Sequence, residues 1–239
     1  MGYGYGLGYG YFDPTMILVL IGVVLSLWAQ SRVTSTFNKY SKVRSRTGMT
    51  GAEAAKRLLQ SQGIYDVTVR QVSGNLTDHY DPRTKTVNLS QSVYGSTTVA
   101  AIGVAAHECG HAMQHDEGYA PLRFRSALVP VANFGSKISW PLILMGVIFG
   151  GLGSPLVQIG ILMFTLAVLF QLVTLPVEFN ASNRAVKLLD SQGILAGEEV
   201  SGTRKVLSAA ALTYVAAAAS SILQLLRLII LYGGRRRDD

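Results

Sequence analysis

Val99-Ala100-Ala101-Ile102-Gly103-Val104-Ala105-Ala106-His107-Glu108-Cys109-Gly110-His111-Ala112-Met113-Gln114-His115 is the stretch around which the rest of the chain is organised. Residues 99–106 are apolar and contain no proline, and Ser96, Thr97 and Thr98 offer N-cap side chains ahead of them. The pattern predicts a helix over residues 99–115. Its centre reads H-E-x-x-H. On a helix, His107 and His111 lie one turn apart on one face, about 6 Å along the axis, so both imidazoles can reach one Zn2+. Glu108 projects beside them, where a carboxylate can take a proton from an activated water. The plainer alternative is a pair of helical histidines, packed or solvated, without metal. Cys109 is the chain's single cysteine and stands at a variable position of the motif, so it is expected to fill space as a small buried hydrophobe.

Composition sets the surroundings of this helix. The 239 residues are 49% hydrophobic and only 15% charged, against about 25% charged in ordinary soluble domains. The net charge of +7 reads as the positive-inside bias of a membrane protein. No basic-aromatic module for nucleic acid is visible, and one cysteine excludes an intrachain disulfide framework.

Before the helix, residues 1–12 alternate Gly and Tyr and are expected to form a flexible head. Residues 14–31 carry no charge and are read as a first span rather than a signal peptide, because no basic segment precedes them. Arg32, Lys39, Lys42, Arg44 and Arg46 follow this span while only Asp13 precedes it, which orients residue 32 onward toward the cytosol. Thr50-Gly51-Ala52-Glu53 is a capping box that opens a helix over 50–62, and Gly63 stops it. Residues 65–72 and 86–89 read as two strands of a hairpin-like ribbon, which could wall a substrate cleft or be purely structural. His79, in the polar stretch between them, is expected to be solvated rather than a ligand.

After the helix, residues 138–177 are uncharged throughout, too long for one core helix. The Gly/Pro cluster at 150–155 divides them into a hairpin of two spans. Residues 206–226 are uncharged and precede Arg227. They read as a fourth span or as a buried helix. Spanning would carry Arg235-Arg236-Arg237 outside, against the positive-inside rule, so the sequence leaves this open. Leu58-Leu59-Gln60-Ser61-Gln62-Gly63-Ile64 is echoed by Leu188-Leu189-Asp190-Ser191-Gln192-Gly193-Ile194, which is most simply two helices with the same glycine C-cap.

The expected fold class is mostly α and integral to the membrane. Three to four transmembrane helices carry a small zincin-like α+β cytosolic domain with the H-E-x-x-H helix. The expected segments are a head at 1–13, a span at 14–31, a cytosolic metallopeptidase domain at 32–137 and a transmembrane hairpin at 138–177. A cytosolic helix follows at 178–205, then the fourth segment at 206–232 and a basic tail at 233–239.

Two histidines do not complete a catalytic zinc site, which takes three protein ligands and a water. His115 shares the helix but lies about 12 Å along the axis from His107, too far to converge. Glu117 has the spacing of a third ligand in H-E-x-x-H-x-x-G patterns, but that pattern needs a glycine where this chain has Gln114. Glu178 ends the long apolar hairpin, and Pro176 before it is suited to starting a helix. Glu178 is the preferred third ligand because it alone comes from a separate element facing the same membrane side.

Four stretches then point to a family. They are Phe37-Asn38-Lys39-Tyr40-Ser41-Lys42-Val43, Ala105-Ala106-His107-Glu108-Cys109-Gly110-His111-Ala112, Leu175-Pro176-Val177-Glu178-Phe179-Asn180-Ala181-Ser182 and Ala211-Leu212-Thr213-Tyr214-Val215-Ala216-Ala217-Ala218. Together they resemble the YugP-type neutral zinc metallopeptidases of bacterial membranes. The resemblance implies a gluzincin-like site with His107, His111 and Glu178 as zinc ligands and Glu108 as general base. It also implies a protein or peptide substrate and a multi-pass cell-membrane location. Membrane peptidases of a broader related type carry Glu-x-x-x-Asp, with the Asp orienting a ligating histidine; this chain has Ser182 there, a weaker hydrogen-bonding partner. Tyr214, Arg184 and His115 are the candidates to stabilise an oxyanion. The rival readings are a non-catalytic membrane scaffold stabilised by zinc and a zinc hydrolase of a non-peptide bond.

Overall fold

The computed structural model describes residues 13–151 and 154–233. The Gly/Tyr head, residues 152–153 of the expected hairpin turn and the terminal arginines lie outside them.

Four long helices, α1 (Met16–Tyr40), α5 (Ala120–Gly150), α6 (Pro155–Ser191) and α7 (Glu198–Tyr232), are long and apolar enough to cross a membrane. Between α1 and α5 lie α2 (Gly51–Ser61), β1 (Thr68–Val72), β2 (His79–Asp81), β3 (Thr86–Ser90), α3 (Gln91–Tyr94) and α4 (Val99–Asp116). The long helices exceed what a bilayer needs. At 1.5 Å per residue, the 37 residues of α6 extend about 55 Å against a hydrocarbon core of about 30 Å. The surplus is polar and gathers at one end. It comprises the last turns of α1 and α6 and the first turns of α5 and α7, and the short elements are built on that end.

The helix that carries the first apolar stretch runs on through the basic residues to Tyr40, because Arg and Lys sustain a helix after the apolar run ends. One expectation at a helix end is corrected. Pro176 does not start a helix: α6 passes straight through it. Only one backbone donor is lost there, and the helix continues to Ser191.

Residues 206–232 belong to a helix that is long and apolar enough to cross a membrane and that pairs with the first helix. α7 lies antiparallel along α1 from Tyr40, beside Gly202, to Asp13, which takes a 2.8 Å hydrogen bond from Arg227 Nη2. Arg227 Nε also reaches Thr15 Oγ1 at 3.2 Å, so the arginine is paired at the end of the span. Halfway along, Ser220 Oγ donates to Gly22 O at 2.9 Å.

The sheet departs from the expected ribbon. Its order is β1-β3-β2, with β1 parallel to β3 and β2 antiparallel to it. The hairpin is β2–β3, joined by the Asp81-Pro82-Arg83-Thr84 turn, in which Asp81 accepts from Arg83 N and Thr84 Oγ1. β1 reaches the far side of β3 through residues 73–78. β3 is buried at every position.

α4 is the centre of the fold and is buried on nearly all sides. Its Ala and Gly residues let α2, α6 and α7 approach together: a Cβ on Gly103 would stand 2.9 Å from Thr203 Cγ2 of α7. Leu58, Leu59, Leu89, Ile102, Leu189, Ile194 and Leu195 fill the space around it, all essentially inaccessible. Each contributes roughly 1.5–3 kcal/mol of burial. The local signals at helix ends are present. Thr50 Oγ1 accepts from Glu53 N while Glu53 Oε2 accepts from Thr50 N. Gly63 and Gly193 both close their helices at positive φ, 73° and 62°, and the amides of Ile64 and Ile194 bond back to Leu59 O and Leu189 O. The sequence echo is this shared cap.

Candidate metal centre

The centre forms where α4 crosses α6. The two backbones come closest at Gly110, where an added Cβ would stand 2.6 Å from the carbonyl oxygen of Ala181. Only a residue without a side chain allows this approach. Gly110 lies between His107 and His111 on α4, and Ala181 lies between Glu178 and Ser182 on α6. One backbone contact therefore brings all four side chains together.

Glu178 Oε2 stands 3.3 Å from His107 Nε2 and 3.5 Å from His111 Nε2. Glu178 is only 2% exposed. Its Oε2 is buried and makes no hydrogen bond among the described residues, while Oε1 faces Arg125 Nη2 at 3.9 Å. A buried, unpartnered carboxylate oxygen is costly on its own.

The outer nitrogens of the two rings are held separately. His107 Nδ1 meets Ser182 Oγ at 3.1 Å, and His111 Nδ1 meets Gln114 Oε1 at 3.0 Å. Gln114 cannot be turned round. Its Nε2 donates to the backbone carbonyl of Val177 at 2.8 Å and to Asn180 Oδ1 at 3.0 Å, so its oxygen faces the histidine. His111 Nδ1 must then carry the hydrogen, which leaves Nε2, facing Glu178 Oε2, as the ring nitrogen available to ligate a metal. The cluster of two imidazole nitrogens and one carboxylate oxygen, all within 4.8 Å of one another, fits a zinc ion with a fourth position open. The carbonyl that orients Gln114 belongs to the residue before Glu178, so one amide ties a ring on α4 to the carboxylate on α6.

Glu108, buried in the wall, turns away from these ligands. Its Oε2 accepts from the backbone amide of Tyr80 in β2 at 2.9 Å. His107, His111, Glu108 and Glu178 share one cavity of about 550 Å³, which β2 lines with His79 and Tyr80, α5 with Arg125, and α7 with Tyr214.

The family model described as "Putative neutral zinc metallopeptidase" matches residues 15–233. The chain belongs to this family. It is 51% identical over 201 residues to the "Putative membrane protease YugP" of Bacillus subtilis (strain 168), a match that covers 84% of this chain and 88% of that protein. No solved structure matches it. Zinc in the family's description agrees with the donor set assembled at the α4–α6 crossing.

The other candidate ligands are engaged elsewhere. Glu117 pairs with Arg184 Nη1 at 2.6 Å, and that hydrogen bond holds its carboxyl below the usual range. His115 Nδ1 meets Tyr80 Oη at 2.8 Å. Burial pushes the Tyr80 phenol up to about 12, so it remains a donor at neutral pH. Of the oxyanion candidates, Tyr214 and His115 line the cavity; Arg184 faces Asn180 and Glu117 instead. His79 sits on the edge strand, its Nε2 3.2 Å from Asn88 Nδ2, outside the ligand cluster. Cys109 is fully buried and its Sγ contacts Ala55 O at 3.6 Å; burial pushes its thiol up, which makes it inert. Sequence reading missed Gln114, Gly110 and Arg125. Gln114 was noticed only as a missing glycine, and its partners lie on a helix far away in the chain.

Proposed function

We propose that the chain is a membrane-embedded zinc metalloendopeptidase that hydrolyses peptide bonds of protein substrates at or near the cytosolic membrane face. The observation that carries this reading is the convergence of His107, His111 and Glu178 in a cavity that also holds Glu108. In this reading the three residues hold zinc and leave one position open. Zinc bound there supplies Lewis acidity toward the scissile carbonyl and acidifies a water. Glu108 takes the proton of the attacking water and passes it to the leaving amine. The Tyr80 amide keeps that carboxylate aimed into the cavity. Tyr214, whose side chain lines the cavity, donates its hydroxyl hydrogen toward the oxygen on which charge develops. β2 is an edge strand and forms one wall of the same cavity, beside the space open to a substrate.

Residues 32–137 and 178–205 act in this reading as a zincin-like metallopeptidase unit in the cytosol, carried by spans at 14–31, 138–177 and 206–232. Arg32, Lys39, Lys42, Arg44 and Arg46 support that orientation, since all follow the uncharged stretch of α1 on the side of the site. The name printed for the Bacillus relative, a membrane protease, agrees with proteolysis at the bilayer. The test is casein hydrolysis by detergent-purified protein with zinc, run beside Glu108→Gln. Wild type is expected to cleave, and the variant to keep its zinc with no measurable cleavage, because the amide cannot accept the proton. Cleavage by the variant at the wild-type rate would remove Glu108 from the mechanism.

A further inference from the structure

A second cavity, of about 560 Å³, opens between α1 and α7 at the polar end of the bundle. The α1 wall is the stripe Arg32, Ser35, Thr36, Lys39 and Tyr40, whose spacing of three and four keeps one helix face turned to the cavity. α7 contributes Arg204, Lys205 and Ser208 from successive turns. Arg32, Lys39, Arg204 and Lys205 are exposed. None lies within 4 Å of a carboxylate among the described residues. Four like charges held on two packed helices repel one another, and no ion pair among the described residues neutralises them. Gly202 fixes the shape of the inner end: a Cβ there would stand 2.6 Å from Tyr40 Cε1, so the tyrosine ring lies directly on the α7 backbone.

The location adds a second requirement. Arg32 follows the last uncharged residue of the α1 span, and Lys205 precedes the first uncharged residue of the α7 span. The charges therefore stand at the level of the bilayer surface. Arg204, Ser208 and Leu212 also line an adjoining groove between α6 and α7, whose other walls include Phe179, Val186 and Val215. A cationic cup with hydroxyl donors thus stands beside a mostly apolar groove, the two sharing the α7 ridge of Arg204, Ser208 and Leu212.

We propose that this cavity binds an anionic diacyl phospholipid, its phosphate among Arg32, Lys39, Arg204 and Lys205 and one acyl chain along the α6–α7 groove. The inference rests on the helices being membrane spans and is independent of peptidase activity. A cluster of basic residues between helices at a bilayer surface matches a lipid phosphate in charge, and the mostly apolar groove beside it, which shares Arg204, Ser208 and Leu212 with the cup, matches a chain rather than a free ion.

Native mass spectrometry of the full-length protein in detergent micelles tests it. The protein is mixed with phosphatidylglycerol, with phosphatidylcholine, or with phosphatidylglycerol plus millimolar inorganic phosphate. Wild type is expected to retain phosphatidylglycerol on the order of tenfold better than phosphatidylcholine, given the number of cations. Inorganic phosphate is expected not to displace it. The triple variant Arg32→Gln/Arg204→Gln/Lys205→Gln should lose the preference. Lys56→Gln/Arg83→Gln/Lys187→Gln, which removes equal charge elsewhere, should keep it. Val215→Trp, which fills the groove and leaves every cup residue in place, should also lose retention. Equal retention of the two lipids by wild type would overturn the proposal. So would equal loss in both triple variants, retention unchanged in Val215→Trp, or displacement by phosphate, which would mark a soluble-anion site. Zinc content measured on each variant separates these outcomes from a failure of the peptidase reading.

Discussion

Among the helix contacts made at glycine, those at Gly110 and Gly22 do different work. At Gly110 the backbone of α6 is so near that an added methyl group would overlap a carbonyl oxygen at 2.6 Å. At Gly22 the nearest atoms of α7 belong to Ser220, at 3.2–3.3 Å. Around Gly110 the polar groups are buried or half-buried, and the outer histidine nitrogens, Gln114 and Ser182 have defined partners, while Glu178 Oε2 and Arg125 Nε have none among the described residues. Around Gly22 the polar groups are serine hydroxyls bonded to backbone, with the Arg227–Asp13 pair as a clasp at the end. The first crossing leaves no slack because side-chain positions there must hold to a fraction of an ångström to share one ion. The second needs only close helix packing, which small residues provide in many arrangements.

Substituting the glycines breaks the comparison most sharply. Gly110→Ala should push α6 away from α4, remove bound zinc and casein cleavage together, and cost about 1–3 kcal/mol in stability from overpacking. Metal analysis and a thermal melt on the same preparation read both effects. Next in size is Gln114→Leu, which keeps the side-chain bulk but frees His111 Nδ1 and leaves the Val177 carbonyl unbonded. Zinc affinity is expected to weaken about 10–100-fold in a chelator competition, with the helix content intact. The smallest effect is Gly22→Ala. Better helix propensity offsets a contact that Ser220 can relieve by a small shift, so the melting behaviour should change by less than about 1 kcal/mol and zinc content not at all. A loss of zinc in Gly22→Ala equal to that in Gly110→Ala would erase the distinction.

The sequence was most informative where an interaction is local. The Thr50–Glu53 capping box, the glycine stops at 63 and 193, and the helix carrying His107 and His111 all depend on neighbours within about one turn. Their spacing survives in the structure. The sheet was less legible. β2 has three residues, too few to alternate, and the parallel pairing of β1 with β3 depends on a crossing that no local pattern encodes. The path of residues 206–232 was undecided because their composition suits a span and a buried helix equally. Asp13 and Arg227 settle the pairing from opposite ends of the chain. At the centre, the preference for Glu178 came from membrane parity alone. Gln114, Gly110 and Arg125 act on α6 across space, so nothing adjacent to them in the sequence marks their part.

The central claim is that α4 and α6 together hold one metal ion. Zinc bound per chain in Glu178→Ala and Glu117→Ala, purified side by side, tests it most directly. Loss of one of three ligands from a buried site should bring Glu178→Ala far below one zinc per chain. Glu117→Ala loses only its exposed pairing with Arg184 and should keep a full zinc. Full zinc in Glu178→Ala, with loss in Glu117→Ala, would contradict the account.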